Sequence, residues 1–98
     1  MSEYTNIIKG TKPVLVDFFA EWCGPCKAMK PILSDVKSKI GDQAIILKVD
    51  IDKNPALANA YGIQGVPTLI IFKEGEIKWR ESGVRQAGEI LSLLKQHL

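Results

Sequence analysis

The sequence predicts a small α/β domain of four strands, in which parallel strands are joined through helical crossovers and an antiparallel hairpin closes the sheet. Three observations carry this reading. Residues 14–20 and 44–49 are continuous apolar runs, broken only by Asp17 and Lys48, as in strands buried on both faces. Between them Met29, Ile32, Leu33, Val36 and Ile40 recur at helical spacing. Residues 68–73 and 77–82 flank Glu74-Gly75-Glu76, the pattern of a hairpin.

Taken in order, residues 4–9 form a short helix that Gly10 ends, and the first strand follows at residues 14–20. The long helix begins after Cys23-Gly24-Pro25-Cys26 and ends at Gly41, with Pro31 expected to kink it. After the strand at 44–49, Asn54 is expected to cap a short helix that has Pro55 at its first position and Gly62 at its end. The hairpin comes next, and Ile90, Leu91, Leu94 and Leu98 mark an amphipathic C-terminal helix. The order is α, β, α, β, α, β, β, α.

A chain of 98 residues with 46% apolar and 24% charged residues suits one compact domain, residues 1–98, rather than two. Thirteen Lys and Arg against eleven Asp and Glu leave a charge of +2, scattered along the chain, which argues against nucleic acid or an anionic membrane as partner. The N-terminal residues show neither the basic flank nor the apolar core of a signal peptide, so a cytoplasmic protein is expected, and a monomer.

The only two cysteines stand three positions apart at a strand-to-helix junction, where they form no framework of staples and must be read as local chemistry. Pro25 at the helix start gives up an N–H that lacks a helical partner anyway, and Cys23 falls where free N–H groups and the positive dipole end converge. A thiolate at Cys23 is favoured there, with Lys27 as nearby charge. Cys26 points back into the first turn, which predicts that it is the less exposed of the two and attacks a mixed disulfide from within. A zinc site needs two further ligands, and the only histidine, His97, lies near the C-terminus. Attachment of c-type haem needs histidine where Lys27 stands, so no metal or other cofactor is expected.

Four further positions bear on the dithiol. Asp17 interrupts an apolar run, so burial should raise its pKa and make it a proton acceptor for Cys26; alternatively it faces solvent at a strand edge, or pairs with Lys48 only to satisfy burial. In Gly65-Val66-Pro67-Thr68, just before a strand, Pro67 follows either a cis bond in a tight turn or an ordinary trans bond. Trp22 is either an apolar platform for substrate or a packed core residue.

Residues 16–27, Val-Asp-Phe-Phe-Ala-Glu-Trp-Cys-Gly-Pro-Cys-Lys, followed by Gly65-Val66-Pro67-Thr68 and Gly83, resemble the thioredoxin family over nearly the whole chain. That resemblance implies a central mixed sheet flanked by helices, a cis Val66-Pro67 bond beside the cysteines, and Asp17 with Lys48 buried behind Cys26 to handle protons. It further implies a shallow groove formed by Trp22, Gly24, Pro25, Ile51, Gly65, Val66, Pro67, Gly83 and Val84, where an extended substrate pairs with the backbone at Val66. The implied activity is protein disulfide reduction, with disulfide-containing proteins as substrates and a thioredoxin reductase as electron donor. An oxidant or isomerase of the same fold typically has histidine between the cysteines, where this chain has Gly24-Pro25, and a redox-silent binding module is the other alternative. The chain departs from the family in three places. It starts too close to Val14 to include the usual first strand, so a sheet with an exposed or differently covered edge is expected. Phe19 replaces a usual tryptophan, and Gln86 stands where a better helix-capping residue is common.

Overall fold

The computed structural model describes residues 2–98. Its elements are α1 (Ser2–Ile8), β1 (Val14–Phe19), α2 (Gly24–Ile40), a 3-10 turn (Gly41–Gln43), β2 (Ile45–Asp50), α3 (Pro55–Ala60), β3 (Thr68–Lys73), β4 (Glu76–Ser82) and α4 (Ala87–Lys95). One sheet of order β2-β1-β3-β4 runs through the molecule, with β1 parallel to β2 and antiparallel to β3. It is a mixed four-stranded sheet, as the sequence implies.

Alternation along β1 divides the interior in two. Leu15 packs with Leu69 and Ile71 under α2 and α4, where Met29, Leu33, Val36, Ile40, Ile90 and Leu94 are buried. Val14, Val16 and Phe18 face the opposite side with Ile70 and Phe72, beneath α1 and α3. The central strand is thus apolar on both faces because both faces are covered. Asp17 points to the α2 side, opposite Lys48 on β2 and Leu69 on β3.

Several local expectations are refined. Helix α2 continues through Pro31 to Ile40, and the Lys37 ammonium then donates to the carbonyl of Gly41 at 2.9 Å. Asn54 does stand before α3, but its side chain makes no capping bond and donates instead to the Asp50 carbonyl at 3.0 Å. Glu76 belongs to β4, so the hairpin turn is the pair Glu74-Gly75, with φ of 54° and 83°. Two successive positive φ values match the twist of the flanking strands, which is why glycine stands second. Both turn N–H groups bond back to the end of α1, at the carbonyls of Gly10 and Ile8. Leu98 lies beyond α4 and is 53% exposed, so the buried stripe of that helix ends at Leu94.

Candidate active site

The dithiol sits where β1 hands over to α2. After Phe19 the chain turns through residues 20–22, closed by the Cys23 N–H donating to the Ala20 carbonyl at 3.1 Å. Cys23 is the N-cap of α2, with φ −86° and ψ 114°. Its extended backbone brings its side chain back over the first turn, where the Cys26 N–H donates to the Cys23 sulfur at 3.1 Å. Cys23 and Cys26 are joined in a disulfide, with Cα atoms 5.3 Å apart. On reduction the same N–H is placed to stabilise a Cys23 thiolate, together with the positive end of a 17-residue helix.

The expected difference in exposure between the cysteines is absent. Cys23 is 4% exposed and Cys26 5%, because the disulfide ties both sulfurs against Ala20 and the surrounding Phe19, Ile51 and Val66. Their neighbours distinguish them instead. The Cys23 sulfur lies 3.6 Å from the Val66 carbonyl oxygen, on the side where the Val66-Pro67 peptide bond is cis. Cys26 lines a cavity of about 40 Å³ together with Asp17, Phe19, Ala20, Glu21, Lys27, Lys30 and Lys48.

Asp17 resolves into the buried alternative. It is 3% exposed, and its Oδ1 has no hydrogen-bond partner. Burial raises its pKa to about 6, against the opposing pull of the Lys48 charge. Lys48 itself is not buried with it: the side chain is exposed at the cavity mouth, and the two close no ion pair. Lys48 stands next to Asp17 in the β1–β2 register, and its long side chain keeps the ammonium in water.

The remaining candidates fall on both sides of Cys23. Trp22 is 69% exposed, which rules out the core reading, and its indole N–H donates to Asp52 Oδ2 at 2.9 Å. Gly24 and Pro25 are exposed in the first turn of α2, and Ile51 is half-buried against the cysteines. The Gly83 N–H donates to the Pro67 carbonyl at 2.8 Å with φ 96°, a conformation suited to glycine. Thr68 closes this segment, donating to the Gly65 carbonyl at 2.6 Å and pairing with Ser82 at 2.9 Å. Val84 is half-buried and packs toward the α2 and α4 core. Sequence reasoning missed Asp52, since a carboxylate thirty residues from Trp22 leaves no local signal. It also missed Lys30, although the spacing of Lys27 and Lys30 already places both on one face of α2. Among the described residues no group of His, Cys, Asp and Glu is placed to hold a metal ion.

The thioredoxin family model matches residues 1–96. A thioredoxin-like protein of Synechocystis sp. is 45% identical over 95 residues, covering 96% of this chain and 90% of that one. The thioredoxin of Acidithiobacillus ferridurans is 40% identical over 94 residues, 96% of this chain and 87% of that one. Among solved structures, a mutant thioredoxin from Halobacterium salinarum superposes with a TM-score of 0.89 at 34% identity, covering 99% of this chain and 84% of that one. The chain belongs to the thioredoxin family, and its Cys23-Gly24-Pro25-Cys26 pair makes it a thiol-disulfide oxidoreductase of the disulfide-reducing type.

Proposed function

We propose that this protein reduces protein disulfides with Cys23 as nucleophile, Cys26 as resolving thiol and Asp17 as the acceptor of the Cys26 proton. The observation that carries the division of roles is the asymmetry of neighbours: an N–H and a carbonyl at Cys23, a cavity with a buried carboxylate at Cys26.

In the reduced protein the Cys23 thiolate attacks one sulfur of the substrate disulfide. The substrate S–S bond breaks, a mixed disulfide forms, and the first substrate thiolate leaves and takes up a proton. Cys26 passes its proton to ionised Asp17 and attacks the Cys23 sulfur. That step forms the Cys23–Cys26 bond, breaks the mixed disulfide and expels the second substrate sulfur as a thiolate, which takes up a proton from water, and it leaves the protein oxidised by two electrons. The groove beside Val66, with Trp22, Gly24, Pro25, Ile51, Gly65, Pro67, Gly83 and Val84, receives the extended segment around the substrate cysteine. Backbone pairing there makes the choice of substrate broad. A thioredoxin reductase restores the dithiol, and the cytoplasm is the compartment in which such a reductant works.

Insulin disulfide reduction driven by dithiothreitol tests this reading. The protein accelerates the reaction, Cys23→Ser abolishes the acceleration, and Cys26→Ser accumulates mixed disulfides visible as mass adducts. An inactive unmodified protein, or adducts on Cys23→Ser rather than Cys26→Ser, overturns it.

A further inference from the structure

The surface beside Cys26 carries a charge bias larger than the reductase cycle calls on. Lys27 and Lys30, one turn apart on α2, and Lys48 on β2 all line the cavity that holds Cys26 and Asp17. All three side chains are exposed. The ion pairs of the described residues lie elsewhere, joining Lys39 to Asp35, Lys78 to Glu76, and Arg85 to Glu81 and Glu89. Glu21 is the only exposed acid on this rim. The acids across the dithiol are engaged: Asp52 accepts from the Trp22 indole, and Asp50 accepts from the Asp52 N–H. On this rim three exposed cations therefore stand against one exposed acid, Glu21, with no ion pair between them, and the rim adjoins Cys26.

We infer that Lys27, Lys30 and Lys48 form a docking rim for acidic polypeptide, so that disulfides flanked by Asp or Glu are the preferred substrates. The inference rests on the reductase reading and names the substrate class for the same site. A partner with its sulfur at Cys23 and one flank in the groove beside Val66 turns its other flank toward the α2 face that carries Lys27 and Lys30, where carboxylates meet cations without having to displace an existing partner. Exposed pairs each change an equilibrium by about 1.5- to 5-fold, so the three together give roughly a tenfold preference at low salt. Because the rim is in water, that preference fades as salt shortens the range of the field.

The test uses three cyclic disulfide peptides that differ only in having Glu, Ser or Lys beside each cysteine. At about 20 mM salt kcat/KM follows the order Glu, Ser, Lys over roughly tenfold, and at about 300 mM the order flattens. Lys30→Gln halves the Glu-over-Ser ratio or more, and Lys30→Glu, which leaves two cations against two acids on the rim, abolishes it. The same peptides with serine in place of cysteine, titrated by tryptophan fluorescence, report docking without turnover and show the same order. Equal kcat/KM for the three peptides together with equal binding overturns the acidic rim and leaves the reductase reading intact. Absence of turnover with the binding order preserved overturns the reductase reading and leaves the rim. A binding order that does not respond to Lys30→Glu also overturns the rim.

Discussion

Asp17 carries the largest electrostatic cost in the site, and the sign of that cost fixes how the protein responds to pH. An unburied carboxyl titrates near 3.8, whereas the folded protein holds Asp17 at about 6, with burial as the main cause. The folded state therefore binds this proton more tightly than the unfolded state. The resulting stabilisation is full below about pH 4 and is lost as pH rises through about 6. The loss amounts to roughly 3 kcal/mol. Asp17→Asn keeps the shape without the charge, so it raises stability at pH 8 by up to roughly that amount and gains almost nothing at pH 4. Urea unfolding of the oxidised protein at pH 4, 6 and 8 measures the difference; a constant offset across the three values contradicts the assignment. The same variant slows release of the mixed disulfide at least about tenfold, because Cys26 then loses its proton to no positioned base.

At the scale of elements, Gln86 shows how a local sequence choice departs from what its backbone asks for. It has φ −78° and ψ 156°, the extended conformation of an N-cap, yet its side chain makes no capping bond to α4. Gln86→Ser or Gln86→Asp supplies an acceptor at the right distance from the first helical N–H groups and raises the unfolding free energy by about 1 kcal/mol. An unchanged urea midpoint for both variants rejects that account. This weak cap was legible in the sequence, as were all eight helices and strands, because apolar period and glycine punctuation act over a few residues. Glu74 and Gly75 were readable for the same reason, while the membership of Glu76 in β4 was set by pairing with Lys73 across the turn. What the sequence left open depends on contacts far apart in the chain. The choice between the readings of Asp17 needed the packing of α2 over β1, and the tether from Trp22 to Asp52 needed the β2–α3 connection to come back beside the dithiol. The cysteines were expected to differ in burial from their helix positions alone, but the disulfide itself equalises them.

Across the whole molecule, the order β2-β1-β3-β4 leaves two strand edges, and the two are protected unequally. Strand β4 carries Glu76, Lys78, Arg80 and Glu81, and its pairing with β3 is irregular between Ile71 and Phe72, so it is a poor template for another strand. Strand β2 reads Ile45-Ile46-Leu47-Lys48-Val49-Asp50, with Lys48 the only charge before its buried last residue. The N–H groups of Ile45 and Ile51 bond inward to Pro13 and Phe19, so by alternation Ile46 and Lys48 turn their backbone groups outward. Lys48 thus guards the open edge at the point where a second strand would add, and an edge lysine is an effective block because pairing would desolvate its ammonium or place it against its own copy. Lys48→Val removes the block and gives concentration-dependent association in sedimentation velocity, while Lys48→Gln gives less and Lys78→Val on β4 gives none. Uniform behaviour of the three variants would show that the edge is protected by something other than this charge. The substitution also takes away the cation that opposes the rise in the Asp17 pKa, so the pH at which stability falls moves upward in the same variant. One side chain at the mouth of the site thereby couples the solubility of the sheet to the proton affinity of the carboxylate behind Cys26.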